Sequence, residues 1–248
     1  SLTRYHNLQT RIKGTIKKFD DVNKKKAGEI IRKAKEASRE ILSATDVYQI
    51  LSAYNIPVAD WRMADTTGDT VKAAEEIGFP VVIKADSESI VHKSDVGGVA
   101  INIKDSAAVI SVAEKMIKKF DTKNLRFFVQ KFLPGGRELI IGAKAEKGLG
   151  HLVMFGLGGI FVEVFKDVVF NIAPLSDTEA SEMLGSIKAA PLIKGVRGEK
   201  GVCQNCVIEI IQRISQLVTD LPEIQEMDLN PIIAYEDKVF VVDARIKI

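Results

Sequence analysis

The chain has 248 residues, of which 46% are hydrophobic and 27% are charged, and its formal net charge is +2. This composition is ordinary for a globular protein and excludes disordered, collagen-like and disulfide-rich classes. No apolar run approaches the roughly 20 residues that a bilayer-spanning helix needs, and no stretch has the pattern of a secretory signal. The sequence therefore predicts a cytoplasmic protein without membrane contact.

The charge is distributed unevenly along the chain. The first 40 residues carry 12 Lys and Arg against 5 Asp and Glu, whereas the remainder carries 23 against 28. Aromatic residues do not alternate with these basic residues, which argues against nucleic-acid binding and favours a solvated helix face or a contact with a partner. We interpret residues 1–24, where the periodicity is weak, as a basic linker or arm.

The rest of the chain mixes predicted helices and strands. Apolar residues at helical spacing predict helices over 27–54 (with a break near Ser43), 70–77, 106–120, from 176 onward, and 203–219. Strands are predicted over 80–85, 99–103, 127–130, 138–143, 152–155, 160–164, 168–173, 224–233 and 239–246. The many hairpin-like links favour an α+β (mixed α/β) fold over a doubly wound sheet.

Two cysteines form a single C-x-x-C motif. Cys203 and Cys206 lie in a helical pattern, and no second pair of ligands follows at the spacing of a zinc site. The motif therefore predicts two reduced thiols on one side of a helical turn.

A first cluster of candidate functional residues lies at and after the strand over 80–85. Lys84 lies at the end of that strand, where its ammonium group can contact phosphates, and the run HKSDVGGV occupies residues 92–99. Gly97 and Gly98 allow backbone N–H groups to approach an anion closely. His92 lies among polar residues, so it is either a functional group or an ordinary histidine of a surface loop.

A second cluster surrounds the turn over 134–136. The strand that ends at Leu133 can recognise an adenine edge through its backbone, and Glu138 can hold a ribose or orient a lysine. A plain hairpin with a surface salt bridge has the same pattern.

A third cluster lies near the end of the sequence. Glu226, Asp228 and Asn230 alternate along one strand and therefore share a face, and Asp243 belongs to the next strand. Carboxylate and amide oxygens suit Mg²⁺, which takes one or two protein carboxylates together with waters and phosphate oxygens. An acidic strand face exposed to solvent also explains this pattern.

Taken together and in this order, the clusters resemble the ATP-grasp superfamily. The resemblance is strongest to the nucleotide-binding β part of ADP-forming acetyl-CoA (acyl-CoA) synthetases, which are relatives of succinyl-CoA synthetase. It covers residues 25–248, and the HKSDVGGV run is its most specific part. The supporting stretches are IPV (56–58), GFPVVIK (78–84), HKSDVGGV (92–99), GLGG (156–159), GVRG (195–198) and DLNPI (228–232).

The resemblance implies an ATP-grasp fold in which two lobes clamp a nucleotide, the smaller lobe spanning about residues 45–130. It implies that His92 accepts a phosphoryl group, that Asn230 and Asp243 ligate Mg²⁺, and that Asp228 supports them. Independently of the resemblance, Arg197 lies between Gly195 and Gly198 in a predicted loop, from which it could reach a phosphate or a partner domain. The implied ATP- or ADP-binding residues are Lys84, Gly97, Gly98, Gln130, Lys131, Phe132, Leu133 and Glu138.

The implied reaction is acyl-CoA + phosphate + ADP ⇌ carboxylate + CoA + ATP, with a phosphohistidine relay. The partner is a CoA-binding α subunit or a set of fused N-terminal domains, so we expect the chain alone not to turn over acyl-CoA. Two alternatives remain at this point. One is a regulatory ATP-grasp module of a fused protein-lysine acetyltransferase, and the other is a carboxylate–amine ligase of the same superfamily.

Overall fold

The computed structural model describes residues 14–87, 97–120, 124–159, 167–196, 198 and 200–248. Helices combine with antiparallel sheets, which confirms the predicted mixed α/β class. The chain divides into two compact units. The part up to Val58 joins Gly136–Ile248 in what we call the large unit, and Ala59–Gly135 forms the small unit.

Both units contain helices and strands. The helices are α1 (Lys24–Glu36), α2 (Ala44–Ala53), α3 (Thr67–Ile77), α4 (Ser106–Phe120), α5 (Asp177–Ser186), α6 (Ala190–Lys194) and α7 (Gln204–Asp220). The strands are β1 (Trp61–Ala64), β2 (Val81–Asp86), β3 (Val99–Ile103), β4 (Arg126–Lys131), β5 (Arg137–Glu146), β6 (Gly150–Leu157), β7 (Val168–Ile172), β8 (Glu226–Ala234), β9 (Val239–Val241) and β10 (Ala244–Lys247). Among the described residues, no helix is long and apolar enough to cross a bilayer.

The small unit contains a four-stranded antiparallel sheet with the order β1-β4-β2-β3. Alternate strand residues point to opposite faces, so Ile83, Phe127 and Val129 share one of them. These residues are buried in a single apolar core with Ala74 of α3 and Val109 of α4. The two helices therefore cover one face of this sheet, and Lys84 and Phe128 belong to the other face.

The large unit contains a six-stranded antiparallel sheet. Its order is β10-β8-β5-β6-β7, and β9 also pairs with β8. Helix α7 packs against β5 and β6, and its apolar residues Ile211, Ile214 and Leu217 are fully buried. Helix α5 begins with a capping box, because Ser176 accepts from the Glu179 N–H while the Glu179 carboxylate accepts from the Ser176 N–H. This confirms the helix start that the sequence predicts.

The predicted bounds of the other elements are correct in some cases and wrong in others. Helix α4 and strand β3 have the predicted bounds. The strand predicted over 160–164 lies outside the described residues. The strand predicted over 239–246 is wrong as a single element, because it is divided into β9 and β10. Both parts pair with β8, and the division lies opposite Pro231, which has no N–H to donate to the ladder.

The prediction of two reduced thiols is also wrong. Cys203 and Cys206 form a disulfide, with their Cα atoms 5.2 Å apart. Cys203 does not lie within the helix but caps α7, and its sulfur accepts from the Cys206 N–H at 3.3 Å. The helical pattern of the sequence did not indicate that the first cysteine precedes the helix and therefore approaches the second.

The segment before α1 has no helix or strand over residues 14–23, but it packs on the large unit. Phe19 is only 4% exposed, and its backbone N–H and carbonyl both bond to the Gln216 side chain, at 2.8 and 3.1 Å. The Arg213 guanidinium lies 4.0 Å from the Phe19 ring centre and binds both oxygens of Asp21 at 3.0 Å. Two side chains of α7 therefore hold this segment in place.

Candidate functional site

Lys84 lies at the centre of the small-unit sheet, on the face opposite α3 and α4. It pairs across β2 and β4 with Phe128, so the two side chains lie next to each other. The Lys84 ammonium is 5.8 Å from the centre of the Phe128 ring. Gln130 shares this face and is 1% exposed. The structure therefore brings two of the predicted nucleotide-binding residues onto one face of the sheet.

The end of β4 is held firmly by the rest of the small unit. The Lys131 ammonium donates to the carbonyl oxygens of Gly78 and Phe79, at 2.8 and 3.0 Å, at the C-terminal end of α3. The backbone N–H groups of Lys131 and Phe132 donate to Asp60 and Pro80. Any bond from these two residues to an adenine edge must therefore use other atoms, and the Lys131 side chain serves the fold.

The two glycines before β3 have different environments. Gly98 is buried, and its carbonyl accepts from the Ala85 N–H at 2.7 Å. Gly97 has φ +66°, a conformation that favours glycine, and a Cβ there would lie 2.7 Å from the Lys119 ammonium. The backbone at Gly97 therefore lies close to a positive charge. His92 and Arg197 lie outside the described residues.

In the large unit, a glycine turn packs against Glu138. The Gly158 N–H donates to the Glu138 carbonyl at 2.7 Å, and a Cβ on Gly158 would lie 3.1 Å from Glu138 Cβ. Gly159 has φ +61°, and a Cβ there would lie 2.9 Å from Glu138 Oε2. A side chain at Gly158 or Gly159 would therefore collide with Glu138 or displace its carboxylate. The glycines predicted at 156–159 permit this close packing.

The predicted metal residues meet where β8, β9 and β10 adjoin. The Asn230 N–H donates to the Asp243 carbonyl at 3.1 Å, and Asp228 pairs across the strands with Arg245. Asp228 is half-buried, and Asn230 and Asp243 are exposed. No group of three or more His, Cys, Asp or Glu within the described part of the chain could hold a metal. A cation here would therefore need the Asn230 amide and ligands from outside the chain.

The electrostatics of this hairpin favour the binding of a cation. Burial raises the pKa of Asp228 above its usual value, and repulsion from Asp243 and Glu226 raises it further, while Arg245 partly offsets both effects. Two carboxylates close enough to raise a pKa, next to an amide oxygen, form a donor set that suits Mg²⁺. The residues present therefore fit this ion.

Asp228→Asn is expected to raise Tm at pH 7 in the absence of divalent ions. The pKa of Asp228 in the folded protein lies above its value in the unfolded chain, so ionisation of Asp228 destabilises the fold. The wild type is therefore fully stable with respect to this group below the unfolded pKa, and it loses stability as pH rises through the folded pKa. The gain should therefore shrink at pH 4, as thermal denaturation will show. Added Mg²⁺ should stabilise the wild type more than the variant.

Asp237→Asn, a matched change of an exposed carboxylate in the neighbouring turn, serves as the control and should leave Tm unchanged. Equal stabilisation of all three proteins by Mg²⁺ would argue against a cation at this hairpin.

Two buried polar residues of the large unit, Asp167 and His151, have clear structural partners. Asp167 is 7% exposed, and its two carboxylate oxygens accept from the N–H groups of Lys188 and Ala189, each at 2.8 Å, at the start of α6. His151 is buried and bonds through Nε2 to the Ile224 carbonyl at 2.7 Å. Both residues therefore hold the fold of the large unit together.

Comparison with known proteins identifies the fold. Residues 33–248 match a family model described as an ATP-grasp domain. The chain belongs to the ATP-grasp family. The β subunit of ADP-forming acetate–CoA ligase I from Pyrococcus furiosus is 44% identical over 225 residues, which cover 89% of this chain and 97% of that subunit.

Two further ATP-grasp relatives are informative. The ADP-forming 4-hydroxybutyrate–CoA ligase of Nitrosopumilus maritimus is 42% identical over 95% of this chain, which spans only 34% of that protein. An acetyl-coenzyme A synthetase 1 structure from Ca. Korarchaeum cryptofilum is 40% identical with a TM-score of 0.81, covering 90% of this chain and 99% of that one. That structure contains coenzyme A and Mg-AMPPCP, and its phosphohistidine segment points towards the nucleotide binding site.

These relatives decide between the alternatives that the sequence left open. ADP-forming CoA ligases match the chain at 42–44% identity, so neither a regulatory module of an acetyltransferase nor a carboxylate–amine ligase is favoured. The predicted resemblance to the β part of ADP-forming acyl-CoA synthetases is therefore confirmed.

Proposed function

We propose that this chain is the nucleotide-binding and phosphoryl-transferring part of an ADP-forming acyl-CoA synthetase. The reaction is acyl-CoA + phosphate + ADP ⇌ carboxylate + CoA + ATP. The observation that carries this proposal is the match to a β subunit over 97% of its length. Two features of the structure support it. Lys84 offers a positive charge for phosphate, and Asp228, Asn230 and Asp243 offer oxygen ligands for a divalent cation, both of which a phosphoryl transfer needs.

Each proposed residue has a separate task. Lys84 offsets phosphate charge, Glu138 holds the ribose, and His92 carries the phosphoryl group. In the direction of ATP synthesis, the N–P bond of phosphorylated His92 breaks and a terminal oxygen of ADP forms the new O–P bond.

Asn230 and Asp243 would hold Mg²⁺, with Asp228 supporting them. The bound ion would offset the negative charge of the phosphate oxygens. The backbone near Gly97 lies next to the Lys119 ammonium and can approach an anion, so it offers a second contact for phosphate.

The CoA chemistry belongs to another part of the enzyme. The chain spans about a third of the Nitrosopumilus ligase, whereas it spans nearly all of the Pyrococcus β subunit. We propose that a CoA-binding α subunit, or a domain fused to this chain, forms the acyl phosphate. The chain alone then binds nucleotide without making a thioester.

Nucleotide binding tests this proposal most directly. We expect isothermal titration calorimetry to detect ADP and ATP binding in the presence of Mg²⁺. Lys84→Met should weaken this binding by about tenfold or more, because a charge-assisted hydrogen bond to phosphate contributes about 1.5–3 kcal/mol. Lys104→Met, a matched change of an exposed lysine in the small unit, should leave it unchanged. The absence of any binding by the wild type would refute the function.

A further inference from the structure

An aromatic pair lies beside Lys84 on the open face of the small-unit sheet, opposite α3 and α4. The ring of Trp61 on β1 stacks on the ring of Phe128 on β4, with centres 5.2 Å apart and planes 10° from parallel. Phe128 in turn has the Lys84 ammonium 5.8 Å from its ring centre. Three neighbouring strands thus place a tryptophan, a phenylalanine and a lysine in a row on one face of the sheet.

The register of the strands fixes this row. Lys84 and Phe128 are direct partners across β2 and β4, so their side chains leave the sheet on the same side. Trp61 pairs with Gln130, two residues from Phe128, and reaches its ring diagonally. Phe128 is only 1% exposed, so its ring has little freedom to turn away. The lysine therefore has a rigid aromatic surface beside it.

A lysine side chain has four rotatable bonds and loses conformational freedom when it is fixed in one place. A ring within about 6 Å of an ammonium attracts it electrostatically, and the attraction is stronger when the site is dry. A fixed ring beside Lys84 thus restricts where its charge lies before a nucleotide arrives. Less conformational entropy of the lysine is then lost when the nucleotide phosphates bind.

We propose that Phe128, stacked on Trp61, is a positioning residue that holds the Lys84 ammonium ready for the phosphates of the nucleotide. This inference rests on the proposed function, because it takes Lys84 as the lysine that contacts phosphate. It predicts that the ring contributes to the recognition of phosphate and not to the recognition of the nucleoside.

Phe127 provides a matched comparison. It is the neighbouring phenylalanine on the same strand and is also 1% exposed, but it faces the apolar core beneath α3 and α4. Phe127→Leu and Phe128→Leu remove the same ring from opposite faces of the sheet. A role in packing alone predicts the same kind of effect from both changes.

The measured quantity is the ratio of the dissociation constants for adenosine and ADP, each determined by calorimetry with Mg²⁺. We expect Phe128→Leu to lower this ratio about fivefold, which corresponds to about 1 kcal/mol. Phe128→Tyr, which keeps the ring, should remain within twofold of the wild type. Phe127→Leu should lower Tm but leave the ratio unchanged. Trp61 is the only tryptophan of the chain, so we expect its fluorescence to give a second measure of ADP binding in the unaltered protein.

A double variant separates the inference from the function on which it rests. In the Lys84→Met background, Phe128→Leu should lower the ratio no further, because the ring acts through the lysine. A further loss there, or an unchanged ratio in Phe128→Leu alone, overturns the positioning role and leaves the proposed function standing. If Lys84→Met leaves the ratio at the wild-type value, both the lysine's task and the positioning role fall together.

Discussion

Replacement of His92 by asparagine is expected to abolish phosphorylation of the protein by γ-labelled ATP. If His92 is the acceptor, its ring nitrogen is the atom that forms the bond to phosphorus, and the asparagine amide is not a nucleophile that can replace it. The loss should exceed about a thousandfold, which is typical when a nucleophile is removed. The label on the wild type should be acid-labile and stable in base, as a phosphoramidate is.

Two comparisons make this result specific. ADP binding by the His92→Asn variant should match that of the wild type, because the acceptor contributes to transfer rather than to binding. His6→Asn, the same change in the basic arm, should leave the label intact. A label that persists in the His92→Asn variant would move the acceptor to another residue.

Arg213→Met is expected to produce the largest loss of stability, of about 2 kcal/mol or more. The Arg213 guanidinium is mostly buried, donates to Asp21, Glu209 and the Tyr54 carbonyl, and lies over the Phe19 ring. Removal of one partner from such a network leaves the others without bonds, which costs more than the bond itself contributes. Chemical denaturation should show a lower midpoint.

Arg32→Met is the matched control, because Arg32 bonds only to Glu36 on the surface of α1 among the partners that the structure gives, and both side chains are largely exposed. Such surface pairs contribute less than about 1 kcal/mol, so we expect little change in stability.

The hydrogen bond from Arg213 also lowers the pKa of Asp21 in the folded protein. The stabilisation by this ion pair is therefore present above the unfolded pKa of Asp21 and lost as pH falls through the folded pKa. Stability that falls equally in both variants would argue against the network.

The sequence predicted the elements whose pattern is local. Helix α4 has apolar residues at helical spacing through its whole length, and β3 alternates between two turns, so both have their predicted bounds. Strand β1 was missed because its four residues do not form a recognisable pattern, and its pairing with β4 alone defines it. Helix α6 was missed for a similar reason, since its five residues include a proline.

The candidate site could be predicted only in part for the same physical reason. Residue type suggested Lys84, Glu138 and Asp228 as candidates, because few residue types can offset phosphate charge, hold a ribose or support a cation. The contacts of a side chain depend on pairing across the sheet, which sequence spacing does not reveal. Lys131 illustrates this limit, because its ammonium closes the end of α3. Phe128 is a second example. An apolar residue in a strand predicts a core position, and the sequence does not show that its ring lies beside Lys84.

The docked segment before α1 has a practical consequence for where the domain is cut. The family match begins at residue 33, yet Phe19 and Asp21 already pack on α7. A truncation at the boundary of the family model would therefore remove the packing of Phe19 on α7 and leave the buried Arg213 guanidinium without Asp21, one of its two carboxylate partners. The part of the chain that packs as the large unit therefore begins before the boundary of the family model.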